Sequence, residues 1–286
     1  MTVRLVRDDL SSREVFVASN RNNRPQSGGE ECPFCPGGLE APETVTGPYA
    51  FPNRWPPLAA GRCEIVVHGT GHELDFSRMN AAQARAVIDV WAERGSALRQ
   101  RYTPPVVLVF ENRGPEAGAT VAHPHSQIFA LPTLPPLLQD PPALRDCPAC
   151  RETRAELHVE TVRGWSVTVP EASPAPYTLR LTPEGHRTRL DELGGDERDG
   201  LTEALTRGVR ALDALFGRPM PYQLWVAQTA SHHLGVTIAG LRRTPDRHRV
   251  LGAAELATGL YFSPLTAEHA ATALRAAFAH DRKAGA

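Results

Sequence analysis

The arrangement of apolar and polar positions along the chain predicts strands that alternate with long amphipathic helices. Short apolar runs are typical of strands, whereas apolar residues at three- and four-residue steps mark one face of a helix. The predicted strands are 63–68, 106–110, 165–169, 177–181 and 222–228, and the predicted helical stripes are 84–98 and 201–216. The first stripe predicts a helix of about seven turns, and Gly217 stands where a glycine commonly ends a helix.

The order of these elements is repeated, and each copy begins with a pair of cysteines. The first pair is Cys32-Pro-Phe-Cys35 and the second is Cys147-Pro-Ala-Cys150. Histidines follow at matching distances: His72 lies 37 residues after Cys35, and His186 lies 36 residues after Cys150. The next intervals are 51 residues to His123 and 47 residues to His233. This agreement predicts an internal duplication with units at 1–140 and 141–286.

Each unit offers two thiols and two imidazoles, which is the ligand set of a closed structural zinc site. The predicted sets are Cys32, Cys35, His72 and His123 in the first unit and Cys147, Cys150, His186 and His233 in the second. A thioredoxin-like redox pair is the main alternative for the cysteines. His186 and His233 also remain interpretable as ordinary loop or strand histidines, and His232 competes with His233 for the ligand position.

The two units differ where the first reads His-Pro-His-Ser-Gln. Strand alternation places His123, His125 and Gln127 on one side. The preceding segment supplies Asn112, two glycines and Thr120, whose amides and hydroxyl suit phosphate oxygens. An imidazole beside such a turn is a candidate nucleophile for phosphorus. The alternatives are that His125 is a second metal ligand or a buried core histidine.

Charge and composition narrow the function class. The chain has 31 Lys+Arg against 32 Asp+Glu, a formal net charge of −1, and therefore no global basis for holding nucleic acid. The longest aliphatic or aromatic run, 106–110, is far shorter than a membrane span, and the chain start lacks an apolar signal core, so we expect a cytoplasmic protein. Lys283 is the only lysine, so phosphate contacts must come from arginine, amide, hydroxyl or imidazole groups.

The segment from Phe110 to Ala130, FENRGPEAGATVAHPHSQIFA, resembles the active-site segment of the galactose-1-phosphate uridylyltransferases, a branch of the histidine-triad superfamily. The resemblance extends to CPFCP, to RNNRP before it, to FPNRW and to GHEL, and thus covers most of residues 10–135. The tail 252–264, GAAELATGLYFSP, followed by a helix near 266–282, is similar to the family's C-terminal end. The resemblance implies an α+β fold of two tandem histidine-triad-like units, each with an antiparallel sheet and flanking helices.

The resemblance also implies a mechanism and roles for single residues. His125 would attack the α-phosphorus of a nucleoside diphosphate sugar and expel sugar 1-phosphate, which leaves a nucleotidyl-histidine for a second sugar 1-phosphate. The backbone carbonyl of His123 would orient the nucleophile, and Gln127 would hydrogen-bond the phosphoryl group. The family's substrate-contacting positions correspond here to Arg21, Arg24, Asn53, Asn112 and Thr120. Two zinc ions per chain and a homodimer are expected on the same grounds.

The second unit departs from the family pattern at Gly235, where a second histidine is common, and Arg54 follows Asn53 where some uridylyl enzymes have an acid. The sequence therefore supports a nucleotidyltransferase, with UMP as the expected group, more firmly than it identifies the sugar. Two alternatives stay open. One is a phosphorylase of ADP-sugars or dinucleoside polyphosphates that uses the same histidine, and the other is a non-catalytic nucleotide-binding scaffold.

Overall fold

The computed structural model describes residues 3–19, 21, 32–139, 147–151 and 154–284. Its helices within these ranges are α1 (Ala81–Tyr102), α2 (Gly195–Ala214), α3 (Ala253–Thr258) and α4 (Ala267–Ala284). Its strands are β1 (Arg4–Arg7), β2 (Glu14–Val17), β3 (Tyr49–Pro52), β4 (Cys63–Val67), β5 (Val106–Arg113), β6 (His125–Leu131), β7 (His158–Val162), β8 (Trp165–Thr168), β9 (Tyr177–Pro183), β10 (Tyr222–Gln228), β11 (Val236–Gly240), β12 (Arg242–Thr244) and β13 (Arg247–His248). The predicted α+β class with antiparallel strands and flanking helices is confirmed.

The two halves share one sheet instead of forming two separate ones. Within the described residues, nine antiparallel strands follow the order β3-β4-β6-β5-β10-β11-β9-β8-β7. The halves meet where β5 pairs with β10, with Val109 opposite Val226. The proposed boundary between residues 140 and 141 lies outside the described residues.

The helices cover one face of this sheet because their apolar stripes match its apolar rows. Trp91 of α1 and Leu205 of α2 are fully buried in the same core cluster as Trp165 of β8. Asn80 and Gln83 form a reciprocal capping box that fixes the start of α1. In the part of the chain that the structure describes, no helix is both long enough and apolar enough to cross a bilayer.

The opposite face, here called the site face, carries the candidate chemistry. Along β6, Ser126 and Ile128 are buried toward the helices, while His125 and Gln127 alternate with them and remain partly exposed. This period of two is the ordinary consequence of strand geometry. The continuous sheet therefore presents the site residues of both halves on the same face.

Local details differ from the sequence prediction in three places. Helix α1 has 22 residues, or about six turns. Helix α2 ends at Ala214, and Gly217 adopts its positive φ of 63° three residues later, in the turn that follows the helix. Asn112 belongs to strand β5, because pairing with β10 prolongs that strand beyond the apolar run that predicted it.

Candidate active site and metal centres

The first cysteine pair lies against two histidines, although 88 residues separate Cys35 from His123. The Sγ of Cys35 is 3.5 Å from Nδ1 of His72 and 3.5 Å from Nδ1 of His123, and Cys32 Sγ is 3.7 Å from the same His123 nitrogen. The ligand atoms of all four side chains lie within 4.8 Å of one another. The sequence prediction named these same four residues.

These distances fit a tetrahedral metal site. Zinc bonds to sulfur and to imidazole nitrogen at tetrahedral angles imply an S···N edge of about 3.6 Å. The opposite nitrogen of His123, Nε2, donates to the carbonyl of Gly69 at 2.8 Å. That hydrogen bond keeps Nδ1 unprotonated toward the thiols, as expected for the outer-shell partner of a metal ligand. Burial also lowers the pKa of His123, which favours the neutral imidazole.

The second unit contains a matching cluster. Cys150 Sγ lies 3.4 Å from Nδ1 of His186 and 3.3 Å from Nδ1 of His233, and Cys147 Sγ lies 3.5 Å from the latter. His233 Nε2 donates to the carbonyl of Pro183 at 3.1 Å, so the outer-shell contact is repeated as well. Among the described residues, these are the two Cys/His groups able to hold a metal ion. His232 instead contacts Thr229 through its Nδ1.

His125 begins strand β6 directly after the metal-site segment. Its Nδ1 lies 2.8 Å from the carbonyl oxygen of His123 and donates to it. A neutral imidazole that donates through Nδ1 keeps its lone pair on Nε2. The ring of Phe34, from the CPFC segment, packs edge-on against His125 with 5.1 Å between ring centroids. The first Cys/His cluster thus supports the candidate nucleophile through both the backbone and a neighbouring ring.

The orientation of Gln127 follows from a chain of hydrogen bonds. The backbone N–H of Trp55 donates to Oδ1 of Asn53 at 2.8 Å, so Nδ2 of Asn53 faces the other way. That Nδ2 donates to Oε1 of Gln127 at 3.3 Å. Gln127 therefore presents Nε2 as a donor for a ligand oxygen.

The other predicted contact residues lie at different places around this centre. Asn112 shares the site face with His125, because Glu111 lies opposite Ser126 on the buried helix side and the next residue of β5 turns to the other face. Arg21 donates to the carbonyl of Trp55 at 3.1 Å, which brings a guanidinium beside the Asn53 segment. Thr120 lies in the exposed loop before β6. Arg24 lies outside the described residues.

Sequence reasoning missed a buried polar layer beneath the nucleophile. Ser126, the residue between His125 and Gln127, accepts a hydrogen bond from Trp91 Nε1 at 2.6 Å and contacts His68 Nε2 at 3.2 Å. Burial lowers the pKa of His68 to about 3, so this imidazole is neutral. This layer fixes β6 against α1. In the sequence its signal is weak, because it consists of one serine between two site residues.

A second missed group is Glu111, which points to the helix side of β5. The Tyr222 hydroxyl donates to its Oε1 at 2.8 Å, and burial raises the pKa of Glu111 to about 8. Nearby, Arg113 forms ion pairs with Asp75 at 2.7 Å and with Asp213 at 2.6 Å. These residues anchor the end of β5, the strand that carries Asn112.

The arrangement combines an unprotonated imidazole nitrogen, an amide donor and a nearby guanidinium on one partly exposed face. An imidazole of this kind can attack an electrophilic phosphorus, and the amide can stabilise the developing charge. The hydrogen bond from Nδ1 to the His123 carbonyl sets the tautomer in which Nε2 carries the lone pair.

Residues 56–135 match the family profile described as "Galactose-1-phosphate uridyl transferase, N-terminal domain". The chain is 28% identical over 305 residues to a galactose-1-phosphate uridylyltransferase from Thermotoga maritima, with 93% of this chain and 96% of that protein covered. A solved uridylyltransferase structure matches with a TM-score of 0.85 at 27% identity, over 96% of this chain and 98% of the other. An ADP-glucose phosphorylase from Arabidopsis thaliana is 23% identical over 299 residues, which covers 90% of this chain and 83% of that protein.

The matches extend over both halves of the chain, and the profile includes the His-Pro-His-Ser-Gln segment on which the site is built. The fold and the relatives agree with the resemblance that the sequence motifs indicated. The chain belongs to the galactose-1-phosphate uridylyltransferase family.

Proposed function

We propose that the protein transfers a nucleoside monophosphate, UMP, between a nucleoside diphosphate sugar and a sugar 1-phosphate through a covalent intermediate on His125. The observation that carries the proposal is the hydrogen bond from His125 Nδ1 to the His123 carbonyl, which leaves Nε2 as the reactive nitrogen. The names of the T. maritima relative and of the solved uridylyltransferase support the substrate class.

In the first step, Nε2 of His125 attacks the α-phosphorus of the nucleoside diphosphate sugar. An N–P bond forms, the bond from that phosphorus to the bridging oxygen breaks, and sugar 1-phosphate leaves with the bridging oxygen. In the second step, a phosphate oxygen of the incoming sugar 1-phosphate attacks the same phosphorus. The N–P bond then breaks and its electron pair returns to Nε2, so the cycle balances without water or an external base.

The surrounding residues have complementary roles in this scheme. Gln127 donates through Nε2 to a non-bridging phosphoryl oxygen, because Asn53 holds its Oε1. A neutral donor at this position stabilises the transition state without supplying a proton to a water molecule. Asn112, Thr120, Arg21 and Arg24 are proposed to hold the remaining phosphate oxygens, and Asn53 to border the nucleoside.

Intact-mass spectrometry after incubation with UDP-glucose or ADP-glucose tests the proposal. We expect one nucleotidyl adduct per chain with UDP-glucose, its loss in His125→Ala, and its discharge on adding galactose 1-phosphate. His158→Ala, on the distant strand β7, is the matched control and should keep the adduct. Absence of an adduct and of sugar-phosphate exchange with either nucleotide sugar would refute enzymatic transfer and favour a nucleotide-binding scaffold.

The same experiment tests the phosphorylase alternative, which the similarity to the A. thaliana protein favours. A phosphorylase would form an adduct with ADP-glucose and discharge it to inorganic phosphate. Preference for ADP-glucose together with phosphate would replace our assignment of substrate while keeping the role of His125.

We further propose that each Cys/His cluster binds one zinc ion with a structural role. Four protein ligands leave no coordination position for substrate, so the metal would stabilise the fold and hold His123 in place. Elemental analysis of the folded chain should give two zinc ions. A value near one would remove the second site from the proposal.

We also propose a cytoplasmic homodimer acting in galactose metabolism, in keeping with the family resemblance. The two-unit division at residue 140 is part of the same proposal. Sedimentation analysis at micromolar concentration would test the dimer, and a monomer under those conditions would contradict it.

A further inference from the structure

The second unit contains a pocket of about 630 Å³ on the site face. The pocket borders the second metal centre and is lined by Arg180, Trp225, Gly235 and Thr237, among other residues. The proposed transfer reaction uses none of these side chains. Their positions correspond by strand register to those of the active site in the first unit.

The equivalence follows from the two matching strand pairings. Phe110 pairs with Gln127 in the first unit, and Trp225 pairs with Thr237 in the second. Two residues before Gln127 stands His125, and two residues before Thr237 stands Gly235. The second pocket is therefore the counterpart of the nucleophile's position, with glycine in place of the histidine.

The neighbouring strands differ in chemistry at equivalent positions. In the first unit, Gln127 lies opposite Ile65, which lies opposite Phe51, so this wall is apolar. In the second unit, Thr237 lies opposite Arg180, which lies opposite Thr168.

The same change from apolar to polar neighbours occurs beside His125 and its counterpart Gly235. Val67 lies opposite His125 in the first unit. In the second unit, Thr182 lies beside Gly235, and a Cβ added to this glycine would be 3.6 Å from the threonine methyl group. Where the first unit has an apolar wall and a nucleophile, the second unit therefore has the guanidinium of Arg180 and three threonine hydroxyls, those of residues 168, 182 and 237.

Arg180 is the key charge in this pocket. No described carboxylate lies within ion-pair distance of its guanidinium, whereas the more buried Arg113, Arg207 and Arg249 each have an acidic partner. Arg180 is exposed on this face, and the protein atoms around its stem lower the pKa of its guanidinium, because partial desolvation disfavours the charge. A guanidinium in an open pocket without an acidic partner is suited to an external anion.

We propose that this pocket binds the phosphoryl group of a small phosphorylated sugar without reacting with it. Arg180 would hold the phosphoryl oxygens, the threonine hydroxyls would complete their hydrogen bonds, and the indole of Trp225 would border the sugar. No nucleophile is present at the position of Gly235, so the ligand stays intact.

The pocket is separate from the transfer site within one chain. Four strand spacings separate β6 from β9, which amounts to about 19 Å at roughly 4.8 Å per strand. A sugar phosphate held at Arg180 cannot bring its phosphate oxygen to a phosphorus on His125. The inference thus does not depend on the proposed transfer reaction.

Binding can be followed by the fluorescence of Trp225 in the zinc-loaded full chain, with glucose 1-phosphate, inorganic phosphate and glucose as probes at constant ionic strength. We expect saturable responses to the two phosphates and none to glucose. Arg180→Gln should lower the affinity for glucose 1-phosphate and for inorganic phosphate at least tenfold. Thr237→Val should lower both affinities several-fold. Arg243→Gln removes an exposed arginine of β12 and should leave the affinity unchanged.

Three results would overturn the proposal. They are equal affinity in Arg180→Gln and the unsubstituted chain, no response at millimolar phosphate, and a response that persists in Trp225→Phe. The transfer assay separates the two proposals. Arg180→Gln should retain turnover at saturating substrates, and parallel loss of binding and turnover would mean that the pocket belongs to the transfer site. Phosphate binding in a chain without transfer activity would refute the proposed function alone.

Discussion

Glu111→Gln tests whether the buried acid on β5 makes stability depend on pH. Glu111 is only 3% exposed, and its Oε1 accepts the Tyr222 hydroxyl, while Oε2 has no hydrogen-bond partner in the described part of the molecule. Burial raises the pKa of Glu111 from 4.5 to about 8. Between these two values the folded chain keeps a proton that the unfolded chain has lost. Stability therefore falls as pH rises through this window.

The expected magnitude follows from the two pKa values. Proton linkage for a group moving from 4.5 to about 8 gives a loss of about 3.5 kcal/mol between pH 5 and pH 8, as an upper limit. Glutamine has the same shape, stays neutral and can still accept from Tyr222, so the variant lacks this loss. We expect the variant to gain stability relative to the unsubstituted chain by up to about 3.5 kcal/mol over the same range.

Urea unfolding at fixed zinc concentration, measured at pH 5, 6, 7 and 8, gives the required free energies. Comparing variant with unsubstituted chain at each pH cancels the titration of the metal ligands. Glu73→Gln, at a side chain that is 78% exposed, is the matched control and should give a small, constant difference. A constant difference for Glu111→Gln as well would refute the reasoning, because it would mean that Glu111 titrates alike in both states.

Three further predictions concern the site and the fold. Gln127→Ala should lower kcat about 100- to 1,000-fold through loss of a charge-stabilising donor, with kcat measured by sugar-phosphate exchange; a change below threefold would contradict this role. Cys150→Ser should reduce bound zinc from two ions to one by elemental analysis and lower the Tm, whereas retention of both ions would contradict the assigned ligand set. Gly200→Ala should destabilise the fold by about 1–3 kcal/mol in urea unfolding, because the added Cβ would lie 2.5 Å from a backbone oxygen. Gly195→Ala, where nothing lies within 4 Å of the added Cβ, is its control, and equal effects of the two would refute the steric explanation.

The sequence by itself determined the elements and the ligand sets. Apolar periodicity located β4, α1 and β10, because side chains that must be buried recur at the period of the element that carries them. The repeated cysteine and histidine intervals selected eight residues that the fold gathers into two clusters. Alternation after His123 put His125 and Gln127 on one face, since strand geometry is local.

Tertiary structure decided the features that depend on residues distant in sequence. The joining of β5 to β10 merged two predicted sheets into one, and no local pattern records which strand edges meet. The carbonyl that orients His123 comes from Gly69, and the burial that raises the pKa of Glu111 exists only in the folded chain. Strand register places Arg180 beside Thr237 in a pocket, and nothing in the local sequence indicates this position. Hydrogen bonding, burial and charge pairing are properties of neighbours in space, and the chain order alone does not specify those neighbours.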